Sequence, residues 1–180
     1  DLGIKLVTVA PENITPVQIR QLTGLNVIVC LGHSNANSDT VLAALDAGAR
    51  GFTHLYNGMS GLTSREPGMV GTALADPRAY CGIILDGEHV HPLSARLAYQ
   101  AKGAERLVLV TDAMSPVGTT DTEFAFFDGK VFRDGNKLFI GAERPDILER
   151  LFWSGVIGGV TFVLTPYLWG NVLPAWYTSS

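Results

Sequence analysis

Residues 26–31 have the sequence Asn-Val-Ile-Val-Cys-Leu and are followed at once by Gly32-His33-Ser34-Asn35. The first part is a short, almost unbroken apolar run, which is typical of a strand buried on both faces of a parallel sheet. The second part places a polar cluster at the carboxyl end of that strand. This stretch predicts an α/β fold whose ionisable residues collect where the strands end.

The same arrangement recurs along the first 112 residues. Apolar runs at 6–9, 51–55, 80–85 and 107–110 predict four more strands. Thr15 as N-cap, Pro16 at the first helical position and Gly24 as terminator predict one helix between strands. Further helices are expected from about 38 to 47 and from 92 to 102.

Polar residues at the strand ends separate two possible architectures, a doubly wound sheet and a TIM-type barrel. His33 and His54 end successive strands, Asp86 follows a third, and Asp112 follows a fourth. In a barrel these ends converge on one mouth, where the active site lies. The pattern therefore favours a barrel.

The chain changes character after residue 123. Residues 124–138 contain two Asp-Gly turns between apolar runs, which indicates a β-hairpin element. Residues 151–180 contain no Asp, Glu, Lys, Arg or His but all three tryptophans. Their glycines and prolines favour a foreign or out-of-frame tail over a membrane span. We expect three segments: a partial barrel at 1–123, a hairpin at 124–138 and an atypical apolar tail at 139–180.

The amino-acid composition argues against some classes of binding partner. The 180 residues carry 13 Lys and Arg against 17 Asp and Glu, a net charge of −4, with no basic run, which argues against nucleic acid and anionic membranes. Cys30 and Cys81 lie in apolar runs and are expected to be reduced and buried. The N-terminus opens directly into an apolar strand with no signal peptide. Together these features predict a cytoplasmic location.

Two imidazoles and a carboxylate at one barrel mouth suit metal chemistry. His33, His54 and Asp112 offer nitrogen and oxygen ligands of the kind that hold a borderline divalent metal while leaving a position open. Such a metal acidifies water, and a nearby carboxylate can accept the proton. A lone histidine at a strand end is more often structural, so the prediction of a metal site depends on His33, His54 and Asp112 occurring together.

Five local motifs carry a more specific signal. They are Leu31-Gly-His-Ser-Asn-Ala36, Thr53-His-Leu-Tyr-Asn-Gly-Met59, Arg65-Glu-Pro-Gly68, Asp86-Gly-Glu-His-Val90 and Val110-Thr-Asp-Ala113. On these motifs the chain resembles the N-acetylglucosamine-6-phosphate deacetylase family of the amidohydrolase superfamily, over roughly residues 4–138. The resemblance implies a partial (β/α)8 barrel, about strands 4 to 8.

The resemblance also implies residue roles. His33 and His54 look like ligands of a divalent metal, with zinc expected first and iron, manganese or cobalt also compatible. Asp112 looks like the general base that takes a proton from the attacking water and returns it to the leaving amine.

The other implied roles concern the substrate, a small amino-sugar phosphate. Asn57 and Gly58 would bind the phosphate or neighbouring oxygens, and His89 would hydrogen-bond the sugar. Arg65 would clamp the phosphate, because a guanidinium matches it bidentately, and in this family it reaches across a homodimer interface. The implied reaction is hydrolysis of N-acetylglucosamine 6-phosphate to glucosamine 6-phosphate and acetate.

Several alternatives stay open. Arg65 and Glu66 would by themselves suggest a surface ion pair, His89 a cap of the next helix, and Asn57-Gly58 a turn. His91 is expected at the helix start without a role. Glu12 is expected in a loop or helix start, although its place beyond a strand end leaves a functional role open. At the level of the whole chain, another amidohydrolase and a non-catalytic or membrane-associated remnant are the competing hypotheses.

The chain also departs from the family it resembles. It begins near the family's fourth barrel strand, so a glutamate metal ligand and a carbonyl-polarising histidine have no counterpart here. We therefore expect an incomplete fragment that folds poorly or associates when alone and has little activity, because a barrel lacking three strands has open edges.

Overall fold

A computed structural model describes residues 3–114, 117–126, 129–134, 137–140 and 152–154. The first of these ranges contains a five-stranded sheet in which every neighbouring pair is parallel and the strands lie in chain order. The strands are β1 Lys5–Val9, β2 Val27–Leu31, β3 Gly51–Phe52, β4 Tyr80–Ile83 and β5 Leu107–Leu109. This is the sheet predicted from the sequence, and the partial-barrel fold class is confirmed.

Helices connect the strands in the order expected of repeated βα units. They are a 3₁₀ helix at Pro11–Asn13 and the α-helices α1 Pro16–Gly24, α2 Ser38–Asp46, α3 Gly68–Ala75 and α4 Pro92–Lys102. Thr15 caps α1 through a capping box with Gln18, as Thr15-Pro16 predicted. His91 caps α4 by accepting the backbone N–H of Leu93, so the prediction of a helix-start histidine is confirmed.

Helix α3 was not predicted. Its sequence Gly-Met-Val-Gly-Thr-Ala-Leu-Ala is mostly buried and has no polar stripe, so it lacks the amphipathic period that identified the other helices. Gly68 begins it with φ of 58°, and a Cβ there would lie 2.7 Å from the Gly61 carbonyl oxygen. Only glycine fits this close approach without strain.

The core lies on the helix-covered side of the sheet. Leu31, Phe52 and Leu45 are at most 2% exposed and belong to one cluster with residues of the four α-helices. By contrast, Leu6 is 60% and Ile28 41% exposed. The exposed residues of β1 and β2 lie in their amino-terminal halves, and burial rises along both strands towards their carboxyl ends.

The second part of the described structure is a four-stranded antiparallel sheet. Its strands are β6 Glu123–Phe126, β7 Gly129–Asp134, β8 Lys137–Ile140 and β9 Phe152–Ser154. The predicted hairpin is found here, with two further strands beside it. Apart from 139–140 and 152–154, the predicted apolar tail at 139–180 lies outside the described residues. Among the helices that the structure describes, none has the length and apolar character needed to cross a membrane.

Candidate functional site

The two histidines predicted as metal ligands lie against each other. His33 follows β2 and His54 follows β3, and their Nε2 atoms are 2.8 Å apart. The ring centroids are 4.5 Å apart and the ring planes are nearly perpendicular. The structure therefore brings together two side chains that are 21 residues apart in the sequence.

A glycine between two threonines allows this approach. The Thr8 and Thr53 hydroxyls are hydrogen-bonded at 2.7 Å across β2, so they join β1 to the end of β3. A Cβ at Gly32 would lie 3.0 Å from the Thr8 methyl and 3.2 Å from Thr53 Cβ. Gly32 thus leaves room for the contact directly before His33 in the chain, and Thr53 directly precedes His54.

Backbone strain marks the same positions. His33, His54 and Asp112 have φ of 49°, 37° and 50°, in the left-handed region, and only Asn26 and Tyr56 join them among the described non-glycine residues. Such a conformation costs about 1–3 kcal/mol for a residue with a Cβ and persists where the surrounding structure enforces it. The three residues singled out for chemistry are therefore three of the five strained ones.

Burial sets the charge state of His54. Its residue is 2% exposed, and burial lowers the pKa of its imidazole. The Asp112 carboxylate opposes this shift and the neighbouring His33 adds to it. The Nδ1 atom of His54 is buried without a hydrogen-bond partner among the described residues. His54 is therefore held as a neutral imidazole, the form that ligates a metal.

These donors fit part of a divalent-metal site. Two facing imidazole nitrogens suit zinc and related metals, although two nitrogens on one tetrahedral zinc lie roughly 3.3 Å apart, so the rings would have to separate slightly. Asp112 is exposed and close enough to His54 to act on its pKa. Within the ranges the structure describes, no three His, Cys, Asp or Glu side chains are grouped closely enough to hold a metal. The described site is a histidine pair.

Asn57 and Gly58 form the turn after β3, as their sequence alone suggests. The Asn57 side-chain amide donates to the backbone oxygens of His54 and Leu55. Gly58 has φ of 56°, and a Cβ there would lie 3.3 Å from Nδ1 of His33. The turn therefore packs directly on the His33 ring.

His89 is held by a carboxylate and is not the cap of α4. Its Nδ1 is 2.7 Å from Oδ2 of Asp86, and both side chains are at most 7% exposed. Oδ1 of Asp86 accepts the backbone N–H groups of Glu88 and His89. Because Nδ1 faces Asp86, the ring is fixed in orientation.

Arg65 and Glu66 do not pair with each other, so the surface ion-pair interpretation is wrong. Oε1 of Glu66 accepts the backbone N–H of Ser38 at 2.8 Å and that of Gly68 at 2.9 Å. Arg65 is exposed and has no ion-pair or hydrogen-bond partner among the residues described.

Sequence reasoning did not assign the polar supports of these loops. The sequence predicted Asp86 at a strand end without a specific role and Glu66 as one half of a surface ion pair. Glu12 was expected in a loop or helix start, with a functional role kept open by its place beyond a strand end. The structure puts Glu12 in the 3₁₀ helix, where its carboxylate accepts a 2.5 Å hydrogen bond from Ser34, the residue after His33. Only the position of Glu12 beyond a strand end signalled this contact.

Five parallel strands in chain order, with two facing histidines after adjacent strands and an aspartate after a later one, are characteristic of part of an α/β barrel whose site lies at the carboxyl ends of the strands. No protein-family model matches the chain. It is 65% identical over 138 residues to N-acetylgalactosamine-6-phosphate deacetylase of Shewanella sp. (strain ANA-3), covering 77% of this chain and 35% of that protein. It is 45% identical to N-acetylglucosamine-6-phosphate deacetylase of Bacillus subtilis (strain 168), covering 68% and 31% of the two chains.

Solved structures give the same picture. The N-acetylglucosamine-6-phosphate deacetylase of Pasteurella multocida matches with a TM-score of 0.74 and 32% identity over 97% of this chain and 44% of that one. A mutant of the Mycobacterium smegmatis enzyme in complex with N-acetyl-D-glucosamine-6-phosphate gives 0.73 and 34% over 77% and 37%. This chain is thus homologous to the N-acetylhexosamine-6-phosphate deacetylases, as its motifs predicted, and spans about a third of the length of the curated relatives.

Proposed function

We propose that the chain supplies the histidine pair, the general base and the sugar-phosphate contacts of a site that hydrolyses the N-acetyl amide of an N-acetylhexosamine 6-phosphate. The observation that carries the proposal is the contact between His33 and His54 at the ends of adjacent parallel strands, with the charge of Asp112 acting on the same imidazole.

His33 and His54 would hold the divalent metal, for which we propose zinc. When bound, such an ion polarises the acetyl carbonyl and makes the attacking water more acidic. Burial keeps His54 neutral, and the turn at Gly58 packs on the His33 ring and so restricts its orientation.

Asp112 would act on the proton. In the proposed reaction, water oxygen bonds to the acetyl carbon and the carbon–nitrogen bond breaks. Asp112 accepts the proton of the water and passes it to the leaving amine, giving acetate and the free amino sugar. Asp112 is exposed and lies three residues after the end of β5, which would leave its carboxylate accessible to the attacking water and the leaving amine.

The sugar phosphate would be held by Arg65, Asn57, Gly58 and His89. Arg65 provides an exposed guanidinium without a partner among the described residues, which suits bidentate phosphate binding. The ring of His89, fixed by Asp86, would hydrogen-bond the sugar.

The two candidate substrates, N-acetylglucosamine 6-phosphate and N-acetylgalactosamine 6-phosphate, differ in configuration at C4. The sequence motifs alone suggested N-acetylglucosamine 6-phosphate, whereas relatives 65% and 46% identical are named for the galactosamine epimer. We propose that both epimers are substrates, since the metal and Asp112 act on the acetyl group that they share.

Two further proposals concern the cellular location and the oligomeric state of the protein. Cys30 and Cys81 are free and buried, and burial raises the pKa of the Cys81 thiol to about 12, which supports a reduced, cytoplasmic protein. Arg65 is exposed and forms no ion pair with a described residue, which supports a homodimer in which it reaches the partner's site.

The test is acetate release from both epimers by the zinc-loaded chain. Asp112→Asn should lower the rate by about 10²–10⁴-fold, the usual contribution of a general base. Asp121→Asn, a carboxylate in the loop before β6, is the matched control and should leave the rate unchanged. Because the chain spans about a third of the length of its relatives, its own rate is expected to be low. A measurable rate that Asp112→Asn leaves unchanged contradicts the proposal, as does an absence of zinc binding.

A further inference from the structure

The turn that carries Arg65 is anchored by its neighbour. Oε1 of Glu66 accepts the first backbone N–H of α2, from Ser38, and the first of α3, from Gly68. One carboxylate oxygen therefore joins two helix N-termini that are 30 residues apart in the chain. Both helix ends carry positive partial charge, so an anionic side chain is favoured there.

The remainder of the turn is closed on itself. The Thr63 hydroxyl donates to the Glu66 carbonyl oxygen at 2.9 Å and accepts the Glu66 N–H at 3.2 Å, while the Thr63 N–H donates to the same carbonyl at 2.9 Å. Residues 63–66 thus form a hydrogen-bonded loop with its ends fixed. Arg65 lies inside this loop, one residue before the carboxylate.

The start of the turn is tied to the histidine site. The Ser60 hydroxyl donates to the Ala36 oxygen at 2.6 Å and accepts the Met69 N–H at 2.9 Å. Because Ala36 lies three residues after His33, the Arg65 turn and the metal-ligand loop belong to one hydrogen-bonded unit.

We propose that Glu66 is a positioning residue for Arg65, which holds the turn so that the guanidinium is presented to an anion at a fixed place. The inference rests on the proposed role of Arg65 as a phosphate ligand. An arginine on a mobile loop would lose backbone as well as side-chain freedom when it binds, and a loop fixed in advance avoids the first loss.

The charge of Glu66 agrees with this role. Hydrogen bonds from the Gly68 and Ser38 amides hold the pKa of its carboxyl below the ordinary value, so the anchoring group stays ionised at neutral pH. The cationic group closest to Glu66 in the sequence is the Arg65 guanidinium. Glu66 forms no ion pair with it, so its carboxylate binds the two backbone N–H groups and Arg65 stays available to an anion.

The experiment uses the full chain and inorganic phosphate as the probe. Amide hydrogen exchange at Ser38 and Gly68 reports the anchor, the order parameter of the Arg65 Nε–Hε group reports its position, and a phosphate titration of that resonance reports anion binding. The variants are Glu66→Ala, Glu66→Gln and Arg65→Ala. Glu105→Ala removes a distant acidic charge and is the matched control.

Glu66→Ala should speed exchange at both amides and weaken phosphate binding, each on the order of tenfold, as expected when charge-assisted hydrogen bonds are lost. Glu66→Gln, which keeps an accepting oxygen, should restore most of both. Loss of one negative charge would by itself strengthen anion binding. The control should therefore bind phosphate as well as the unsubstituted chain or slightly better.

Unchanged phosphate affinity and Arg65 order in Glu66→Ala would overturn the inference, even if exchange at Ser38 and Gly68 rises. If phosphate does not perturb Arg65 in the unsubstituted chain, the proposed phosphate role of Arg65 fails. The Nε–Hε order parameter then decides the positioning role by itself, because an ordered group that becomes mobile in Glu66→Ala supports it and an equally mobile group in both chains contradicts it.

Discussion

Polar side chains at the amino end of the parallel sheet are paired more completely than those at its carboxyl end. At the amino end, Lys102 is 8% exposed and donates to the Asp76 carbonyl oxygen at 2.6 Å, and Arg78 pairs with both Asp76 and Asp46. At the carboxyl end, His54 keeps a buried nitrogen without a partner among the described residues, and Arg65 has no described counter-charge.

This difference separates an end of the sheet that stabilises the fold from an end that can bind a ligand. A buried polar group is normally satisfied, and one that is not requires an explanation such as a ligand. In barrels of this kind the amino face carries stability and the carboxyl face carries chemistry. Substitutions at the carboxyl end of the sheet should therefore alter metal binding. Substitutions at the amino end should alter the free energy of unfolding.

The largest expected effect comes from His33→Asn. Asparagine accepts the left-handed backbone of this position, so the substitution removes the imidazole with little strain. Zinc affinity should fall at least about 100-fold, or about 2.7 kcal/mol, because loss of a ligand exceeds the 10–100-fold cost of a supporting residue. A competition titration with a chelating dye measures it.

His91→Asn is the control for this change, since asparagine caps a helix as well as His91 does and no metal role is assigned there. Its zinc affinity should match that of the unsubstituted chain. A loss of affinity shared equally by both variants would remove the distinction between the histidines.

A substitution at the amino end should have a smaller effect, and it should change stability and not zinc affinity. Lys102→Met keeps the apolar stem but leaves the Asp76 carbonyl without its donor. The free energy of unfolding should fall by about 1–3 kcal/mol, measured by urea denaturation, with zinc affinity unchanged. If instead zinc binding fell while stability held, the two ends would not be functionally separate.

The smallest effect concerns pH. The side-chain hydrogen bond from Arg78 is the main cause that holds the pKa of Asp76 below its ordinary value. A carboxyl with a lowered folded pKa stabilises the fold above its unfolded pKa, and that contribution is lost as pH falls through the folded pKa. Asp76→Asn should therefore flatten the acid side of the stability profile, and an unchanged slope would contradict the ion pair's contribution.

Much of the sheet was predictable because its signals are local. Apolar runs with flanking caps such as Thr15 depend on neighbouring residues only, and the structure confirmed them. The predicted terminator Gly24 is instead the last residue of α1, and the left-handed residue beyond the helix is Asn26. The approach of His33 to His54 followed from topology, since ends of adjacent parallel strands must meet. Helix α3 was missed because a buried helix without a polar face has no helical period to detect.

The supporting contacts were not predictable for a different reason. Glu66 finds its partners at Ser38 and Gly68, and Glu12 finds Ser34, through loop conformations that no periodicity encodes. The metal, substrate and base roles of His33, His54, Asp112, Arg65, Asn57, Gly58 and His89 remain predictions from the resemblance.

The loops after β2 and β3 continue the parallel pairing of their strands. The Ser34 N–H donates to the Gly58 oxygen, the Ser60 N–H donates to the Ser34 oxygen, and Ser34 and Met59 form a parallel bridge. Segments joined in this way open together as one cooperative unit. The rate at which a bound ion leaves should then be limited by concerted opening of both loops, so that the lifetime of the metal complex and the protection of the Ser34 and Ser60 amides rise and fall together.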